Sequence, residues 1–140
     1  MSVMNLHERI PADLKVIPKF IRALTEKIKQ LPLDERQLHD IKLSLHEALV
    51  NAMKHGNGLN PDLYVEVHVE SRNGYLSVTV SDKGEGFDFQ NIPDPTKPDN
   101  LQKLSGRGIL LIRRHMDKIK FFDCGSRIKM IKFFKKGVKK

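Results

Sequence analysis

Two segments of alternating residues, separated by the dipeptide Asn73-Gly74, constrain the fold more than any other feature of this chain. Residues 63–70 and 76–82 each alternate apolar and polar side chains with a period of two, which is the pattern of β-strands. Asn-Gly between two such segments favours a tight hairpin turn. The sheet of this protein is therefore expected to be built on an antiparallel hairpin.

The segments before this hairpin have helical spacing instead. Residues 14–31 place apolar side chains on one stripe, and Pro18 fits the first turn of such a helix, where no backbone donor is lost. A second helix is expected to be capped by Asp34 and to end at Gly56 and Gly58. The predicted buried faces are Ile17, Phe20, Ile21, Leu24 and Ile28 in the first helix, and Leu38, Ile41, Leu45, Leu49 and Ala52 in the second.

The remaining segments complete one layer of helices and one sheet. The pattern favours an α/β (α+β) two-layer sandwich, with helices on one face of a mixed, mostly antiparallel sheet. A length of 140 residues fits a single domain, 1–140, with a basic tail from about residue 135. The further elements predicted are a strand at 3–10 ended by Pro11, a helix at 109–116 opened by Gly108, and strands at 119–123 and 127–134.

The composition argues against a membrane-spanning or secreted protein. No apolar run approaches a transmembrane length, and no N-terminal pattern of a secretory signal is present. The single cysteine permits no internal disulfide and fits a reducing compartment, so a cytoplasmic protein without membrane attachment is expected. The net charge of +8 includes the C-terminal Lys129, Lys132 and Lys135 and can attract nucleic acid. Aromatic residues are few, so a solvated edge strand and a frayed terminus are the favoured interpretation.

The second predicted helix carries three polar residues near its C-terminal end. Glu47, Asn51 and Lys54 are spaced i, i+4 and i+7 and are expected on one face. A carboxamide oxygen can bind Mg²⁺, a carboxylate can accept a proton, and an ammonium group can neutralise phosphate. A plain solvated face is the alternative. A zinc-protease helix is excluded, because Val50 stands where its second histidine is required.

Two glycine-containing motifs follow further along the chain. Asp82-x-Gly84-x-Gly86 comes directly after a predicted strand, where the carboxylate can accept a hydrogen bond from an amino group and glycine lets the backbone approach a flat ligand. Gly106-x-Gly108 precedes the third helix, whose N-terminal amides favour phosphate. Each motif alone is also an ordinary turn, so neither identifies a ligand by itself.

The order and spacing of the three motifs resemble the N, G1 and G2 boxes of the GHKL ATPase superfamily. The short chain and the compact lid between the second and third boxes are most similar to the anti-sigma factor serine-protein kinases of bacteria, the RsbW-like branch. The resemblance implies the Bergerat-type ATP-binding fold. It rests on Glu47-x-x-x-Asn51-Ala52-x-Lys54-His55-Gly56, on Asp82-x-Gly84-x-Gly86-Phe87 and on Gly106-x-Gly108-Ile109.

The resemblance also implies a role for each residue of the boxes. Asn51 would bind Mg²⁺, and Asp82 would bind the adenine amine. Glu47 would be the general base that activates a serine hydroxyl or a water, and Lys54 would contact phosphate. The other residues assigned to nucleotide binding are Gly84 and Gly86, which would shape the adenine pocket, Gly106 and Gly108, whose amides would face the phosphates, and His55, Phe87, Arg107 and Ile109 beside them.

By the same resemblance the chain is expected to be an ATP- and Mg²⁺-dependent protein-serine/threonine kinase. Its substrate would be a serine of a STAS-type anti-sigma factor antagonist, and its second partner would be a sigma factor or other regulator that it sequesters. The resemblance implies a homodimer. Two alternatives stay open: a nucleotide-gated regulatory binding module without significant kinase activity, in which Glu47 is structural, and a nucleic-acid-binding protein that uses its C-terminal lysines.

Overall fold

The predicted hairpin forms the middle of a five-stranded sheet. The computed structural model describes residues 4–56, 58–82, 106–122 and 126–135. Among these residues the strand order is β1-β2-β3-β5-β4, and all four pairings are antiparallel, so the mixed component expected of the sheet is absent there. The strands are β1 (Asn5–Pro11), β2 (Tyr64–Arg72), β3 (Tyr75–Ser81), β4 (Lys118–Phe122) and β5 (Arg127–Phe133).

The turn and the alternation of the hairpin are as predicted. Gly74 has φ 100°, a left-handed conformation that glycine adopts without steric cost. Val67 pairs with Val80 and Val69 with Val78, and all four side chains are buried on one face. The alternate residues of β2 and β3 point to the other face, so one side of the sheet is available for a layer of helices.

The first helix begins slightly later than its spacing predicts. A 3-10 turn, Leu14–Val16, precedes α1 (Ile17–Ile28), and Asp13 caps that turn by accepting a hydrogen bond from the Lys15 amide at 3.0 Å. Pro18 lies in the first turn of α1, as predicted. The α1 residues buried in the core are Ile17, Leu24 and Ile28.

Asp34 begins helix α2 (Glu35–Asn51) with a reciprocal cap, which confirms its predicted role. Its carboxylate accepts a hydrogen bond from the Gln37 amide at 2.7 Å, and the Gln37 side chain accepts one from the Asp34 amide at 3.1 Å. The helix continues as one π-helical turn, Ala52–Gly56. Of the predicted face, Leu38 is half-buried, whereas Ile41, Leu45, Leu49 and Ala52 are buried.

The third helix begins before its predicted start. Helix α3 (Gly106–His115) includes both glycines of the third motif in its first turn, whereas the sequence pattern predicted a turn there and a helix from Ile109. Strands β4 and β5 lie within one residue of their predicted positions. Strand β5 lies between β3 and β4, so it is not the edge strand that its lysines indicated.

The core lies between the helices and one face of the sheet, which confirms the two-layer fold. Residues from α1, α2 and α3 meet the inward side chains of β2, β3 and β5, and Leu33, Leu49 and Met53 are completely buried. Within the described residues, no helix combines the length and apolar character needed to cross a membrane. The polar stretch predicted as a lid lies outside the described residues.

Candidate functional site

Helices α2 and α3 pack against each other in antiparallel directions, and this contact assembles the candidate site. Gly108, near the start of α3, lies against Glu47 and Asn51, near the end of α2. At the other end of the contact, His115 bonds to Asp40, near the start of α2. The N-terminal turn of α3 is therefore placed on the polar residues that the sequence singled out.

Gly108 approaches Glu47 and Asn51 so closely that a side chain would not fit without movement. An ideal Cβ on Gly108 would lie 3.0 Å from Oε2 of Glu47, 3.2 Å from Nδ2 of Asn51 and 3.7 Å from its Oδ1. The first two distances are shorter than ordinary contacts of a Cβ atom. Glycine at this position therefore permits the first turn of α3 to touch the carboxylate and the carboxamide directly.

Glu47 and Asn51 form a partly covered pair and not an open solvated face. The Glu47 side chain is 28% exposed, and its Oε1 lies 3.7 Å from Nδ1 of His46. Asn51 is half-buried. Both side chains lie one turn apart on the same helix and share Gly108 as a neighbour, which confirms the alignment predicted for these two residues.

The alignment predicted for Lys54 assumed an unbroken α-helix. Lys54 and His55 instead lie in the π-helical turn, where the rotation per residue differs from that of an α-helix. Both residues are exposed. The spacing rule that joins Glu47 to Asn51 therefore does not extend to Lys54.

Asp82 follows β3 at one end of the sheet. Its amide donates a hydrogen bond to the Ser126 carbonyl at 2.9 Å, next to the pair that Ser81 makes with Arg127. Helix α2 begins over the opposite end, where Nε2 of Gln37 donates to the Phe133 carbonyl at 2.7 Å. The start of α2 and Asp82 therefore lie at opposite ends of the sheet.

The other predicted residues divide into two groups. Ile109 is buried, and Gly106 and Arg107 belong to the first turn of α3. The predictions for Gly84, Gly86 and Phe87 fall outside the described residues. The structure therefore brings the first and third motifs together and leaves the glycine part of the second as a prediction.

The side-chain oxygen atoms beside Gly108 suit the binding of Mg²⁺ together with a phosphate group. Asn51 supplies a carboxamide oxygen and Glu47 a carboxylate, both hard oxygen donors. Among the described residues, no group of three or more His, Cys, Asp and Glu side chains could hold a metal ion. Mg²⁺ commonly takes most of its ligands from phosphate oxygens and water, so an ion at Asn51 would need few ligands from the protein.

A partly buried polar cluster, which the sequence pattern did not indicate, lies at the far end of α3. Lys132 is 9% exposed at its side chain, and its Nζ donates to Oδ2 of Asp40 at 2.9 Å and to the His115 carbonyl. Nδ1 of His115 lies 2.9 Å from Oδ1 of Asp40. The expectation that Lys132 is a solvated lysine is therefore wrong. Its position in the alternation of β5, opposite the buried Leu76, was the available signal.

Opposing effects act on the pKa of Asp40. Burial of the carboxyl raises its pKa, but hydrogen bonds from Lys132 and His115, and the positive charge of both, outweigh burial. The pKa of Asp40 is therefore lower than its ordinary value, and the carboxylate is the form that this cluster stabilises.

Comparison with known proteins identifies the family. A sequence profile of the histidine kinase-like ATPase domain matches residues 10–132, which is most of the chain and contains every residue of the three motifs. The chain belongs to the histidine kinase-like ATPase domain family. Within this family it is RsbW-like, as the motifs predicted, and its α/β fold is that of the family's ATPase domains.

The relatives of this histidine kinase-like ATPase domain include bacterial kinases. Proteins named serine-protein kinase RsbW, from Staphylococcus aureus strains JH9 and Newman, are each 26% identical to it over 136 residues, covering 91% of this chain and 86% of the relative. A crystal structure of the RsbU and RsbW domains of a Mycobacterium tuberculosis protein aligns with a TM-score of 0.64 and 14% identity. That alignment covers 94% of this chain but only 32% of the other, and at such identity it shows the fold alone.

Proposed function

We propose that this chain is an ATP-binding serine-protein kinase that phosphorylates a serine of a STAS-type anti-sigma factor antagonist and sequesters a sigma factor. The observation that carries the proposal is the contact of Gly108 with Glu47 and Asn51. It joins a carboxylate, a carboxamide and the N-terminal turn of α3, which are the parts that phosphoryl transfer requires. The similarity to proteins named serine-protein kinase RsbW supports the same activity.

The nucleotide would lie beside the contact between the end of α2 and the start of α3. The first amides of α3 have no partner within the helix and favour phosphate, and Gly106 and Gly108 let those amides come close. Asn51 would hold Mg²⁺, which supplies positive charge to the phosphate oxygens when bound. Asp82, with Gly84, Gly86 and Phe87, is proposed to bind adenine, and His55, Arg107 and Ile109 are proposed to border the site.

Glu47 is proposed as the general base. The Oγ atom of the acceptor serine forms a bond to the γ-phosphorus of ATP, the bond from that phosphorus to the β–γ bridging oxygen breaks, and ADP leaves. Glu47 accepts the proton of the serine hydroxyl, and Lys54 offsets negative charge on the phosphates. The exposure of 28% at the Glu47 side chain leaves it accessible to an acceptor while α3 limits its motion.

The contact of Glu47 with Gly108 also suits the second candidate, a nucleotide-gated binding module, because a carboxylate held against α3 can serve packing alone. In that module ATP would change partner binding, and no phosphate would reach the partner. The homodimer remains a prediction that rests on the resemblance, and the cytoplasmic location remains one that rests on the composition.

The two candidates are separated by transfer of labelled phosphate from ATP to purified STAS-type antagonists in the presence of Mg²⁺. For a kinase, Glu47→Gln lowers transfer by about 10²- to 10⁴-fold, the usual contribution of a general base, while ATP affinity changes little. Asn51→Ala lowers ATP affinity itself. Glu35→Gln, an exposed glutamate in the first turn of α2, is the matched control and leaves both unchanged.

The outcomes distinguish the alternatives. ATP binding without phosphorylation of any serine, with the Glu47 variant and the unmodified protein indistinguishable, would favour the nucleotide-gated module. Absence of ATP binding at millimolar concentration, measured as an unchanged melting temperature, would contradict both candidates.

A further inference from the structure

Helix α3 lies against polar residues of α2 at both of its ends. Gly108 touches Glu47 and Asn51 near its start, and His115 bonds to Asp40 at its end. Asp40 and Glu47 are seven residues apart, as are Gly108 and His115, so both pairs of contacts span about 10 Å of helix. A change at one end of this contact is therefore transmitted along a rigid helical segment to the other end.

The end at His115 is the more firmly anchored. The Lys132 ammonium donates to the His115 carbonyl, one of the last carbonyls of α3 that has no partner within the helix. The same ammonium bonds to Asp40 on α2, and Lys132 itself belongs to β5. The three residues thus join α3, α2 and the sheet at one point. Asp117, just beyond α3, adds a hydrogen bond from the Phe133 amide to its carboxylate at 2.6 Å.

Between the two ends, the polar contacts that could fix the position of α3 along α2 are missing from the described residues. Ser44 lies between Asp40 and Glu47 on the same side of α2, and its buried hydroxyl has no hydrogen-bond partner there. Ile112, in the middle of α3, is completely buried in the core. The burial of apolar surface is not directional, so the polar residues at the two ends add to what side-chain packing contributes to the axial position of α3.

A buried ion pair is a poor means of adding stability. Removing Asp40 and Lys132 from water costs free energy that their attraction only partly returns, and apolar replacements of buried pairs are often neutral or stabilising. The hydrogen bonds of Asp40 are directional, since one carboxylate oxygen lies 2.9 Å from His115 and the other 2.9 Å from Lys132. Its contribution is therefore expected in the position of α3 more than in the stability of the fold.

We propose that Asp40, His115 and Lys132 are positioning residues for the candidate nucleotide site. They fix α3 at its C-terminal end and thereby keep Gly108 against Glu47 and Asn51 at the other end. The predicted effect of these residues on ATP binding rests on the proposed function. Their predicted effect on the position of α3 does not depend on any nucleotide.

The test uses the double variant Asp40→Asn/Lys132→Met, which removes both charges and leaves no unpaired buried ion. The matched control is Lys135→Met. Lys135 also pairs with a carboxylate at the start of α2, at 3.1 Å from Asp34, but it is exposed and its partner belongs to α2 alone. A third protein, His115→Leu, removes only the ring hydrogen bond and keeps the Asp40–Lys132 pair, so it is informative if the double variant folds poorly.

The first measurement is amide hydrogen exchange of the nucleotide-free protein. In the double variant the amides from Leu110 to Ile112, which bond to carbonyls within α3, exchange about tenfold faster, a factor within the range of coupling between residues that share one network. The β2–β3 amides are unchanged, and so is every amide in the control. The His115 variant changes the same amides by a smaller factor. A merely structural role would raise exchange in the hairpin as well, and equal exchange in double variant and control would overturn the proposal.

The second measurement is the Kd of ATP with Mg²⁺ by calorimetry. The double variant weakens binding about tenfold, and adding Gly108→Ala to it costs less than the same change in the unmodified protein, because the two changes disturb one contact. Unchanged Kd, or strictly additive effects, would overturn the claim of positioning. If the unmodified protein binds no ATP, the proposed function is wrong, and hydrogen exchange alone still decides whether the cluster fixes α3.

Discussion

Replacing Gly108 with alanine should lower the affinity for ATP while leaving the free energy of unfolding nearly unchanged. The new Cβ would lie 3.0 Å from Oε2 of Glu47 and 3.2 Å from Nδ2 of Asn51, whereas ordinary contacts begin at 3.4 Å. The carboxylate must therefore retreat by about 0.4 Å and the carboxamide by about 0.2 Å. Both side chains are partly exposed, so they can move outward without disturbing the core.

The expected change in the free energy of unfolding is small. Gly108 lies inside α3, and the positive-φ glycines of the described residues are Gly58 and Gly74, so alanine adopts this backbone without strain. Alanine in a helix is favoured over glycine by up to about 1 kcal/mol, which offsets the cost of moving two side chains. We expect the melting temperature to change by less than about 4 °C.

The affinity for ATP should fall much more. A lost hydrogen bond or metal contact to a charged group costs about 1.5–3 kcal/mol, which corresponds to a Kd about 10- to 100-fold higher. Calorimetry with ATP and Mg²⁺ measures this change, and thermal unfolding of the same samples measures stability. Gly74→Ala is the control with the opposite result: its φ of 100° strains alanine and lowers stability, while ATP affinity is retained. Unchanged ATP affinity in Gly108→Ala would refute the assignment of this contact to nucleotide binding.

Three further predictions concern the fold. Asp34→Ala removes the cap of α2 and lowers the free energy of unfolding by about 1 kcal/mol, measured by urea denaturation. Asp40 has a lowered pKa in the folded state, so its contribution is complete above the ordinary value of 3.8 and is lost as pH falls below it through the folded-state pKa. Urea denaturation in that acid range should therefore show a shallower loss of stability for Asp40→Asn than for the unmodified protein. Lys120 lies directly opposite Lys129 across β4 and β5, so Lys120→Glu raises stability by about 0.5 kcal/mol, and thermal unfolding should show this gain shrinking at high salt.

The elements that the sequence predicts best are those specified by neighbouring residues. The hairpin depends on Asn73-Gly74 and on alternation within two short segments, and the start of α2 depends on Asp34 and Gln37, three residues apart. Each of these is a local interaction, and the structure confirms each of them. The resemblance added the family and the assignment of the three motifs to one nucleotide site, which no local pattern contains.

The incorrect predictions mainly involve residues whose contacts lie far away along the chain. Gly106 and Gly108 have low helix propensity and were predicted as a turn, but both lie in α3, and close packing on α2 favours glycine at position 108. Lys132 was grouped with solvated lysines because its partner Asp40 is 92 residues away along the chain. The π-helical turn that contains Lys54 also has no sequence pattern that distinguishes it from the end of an α-helix.

The two sides of α2 have separate physical roles. One side carries Ile41, Leu45 and Leu49, which are buried and supply the non-directional burial that stabilises the fold. The other carries a row of polar residues in steps of three and four, the spacing at which apolar residues usually join two helices. Helix α3 reaches the core through its own apolar residues, so the polar row is not needed to retain it. The proposed positioning of α3 concerns Asp40, Glu47 and Asn51 of this row, and substitutions of these three residues should change ligand affinity more than stability. The row consists of Gln37, Asp40, Ser44, Glu47 and Asn51 on α2, and the apolar residues of and next to α3 are Ile109, Ile112 and Met116.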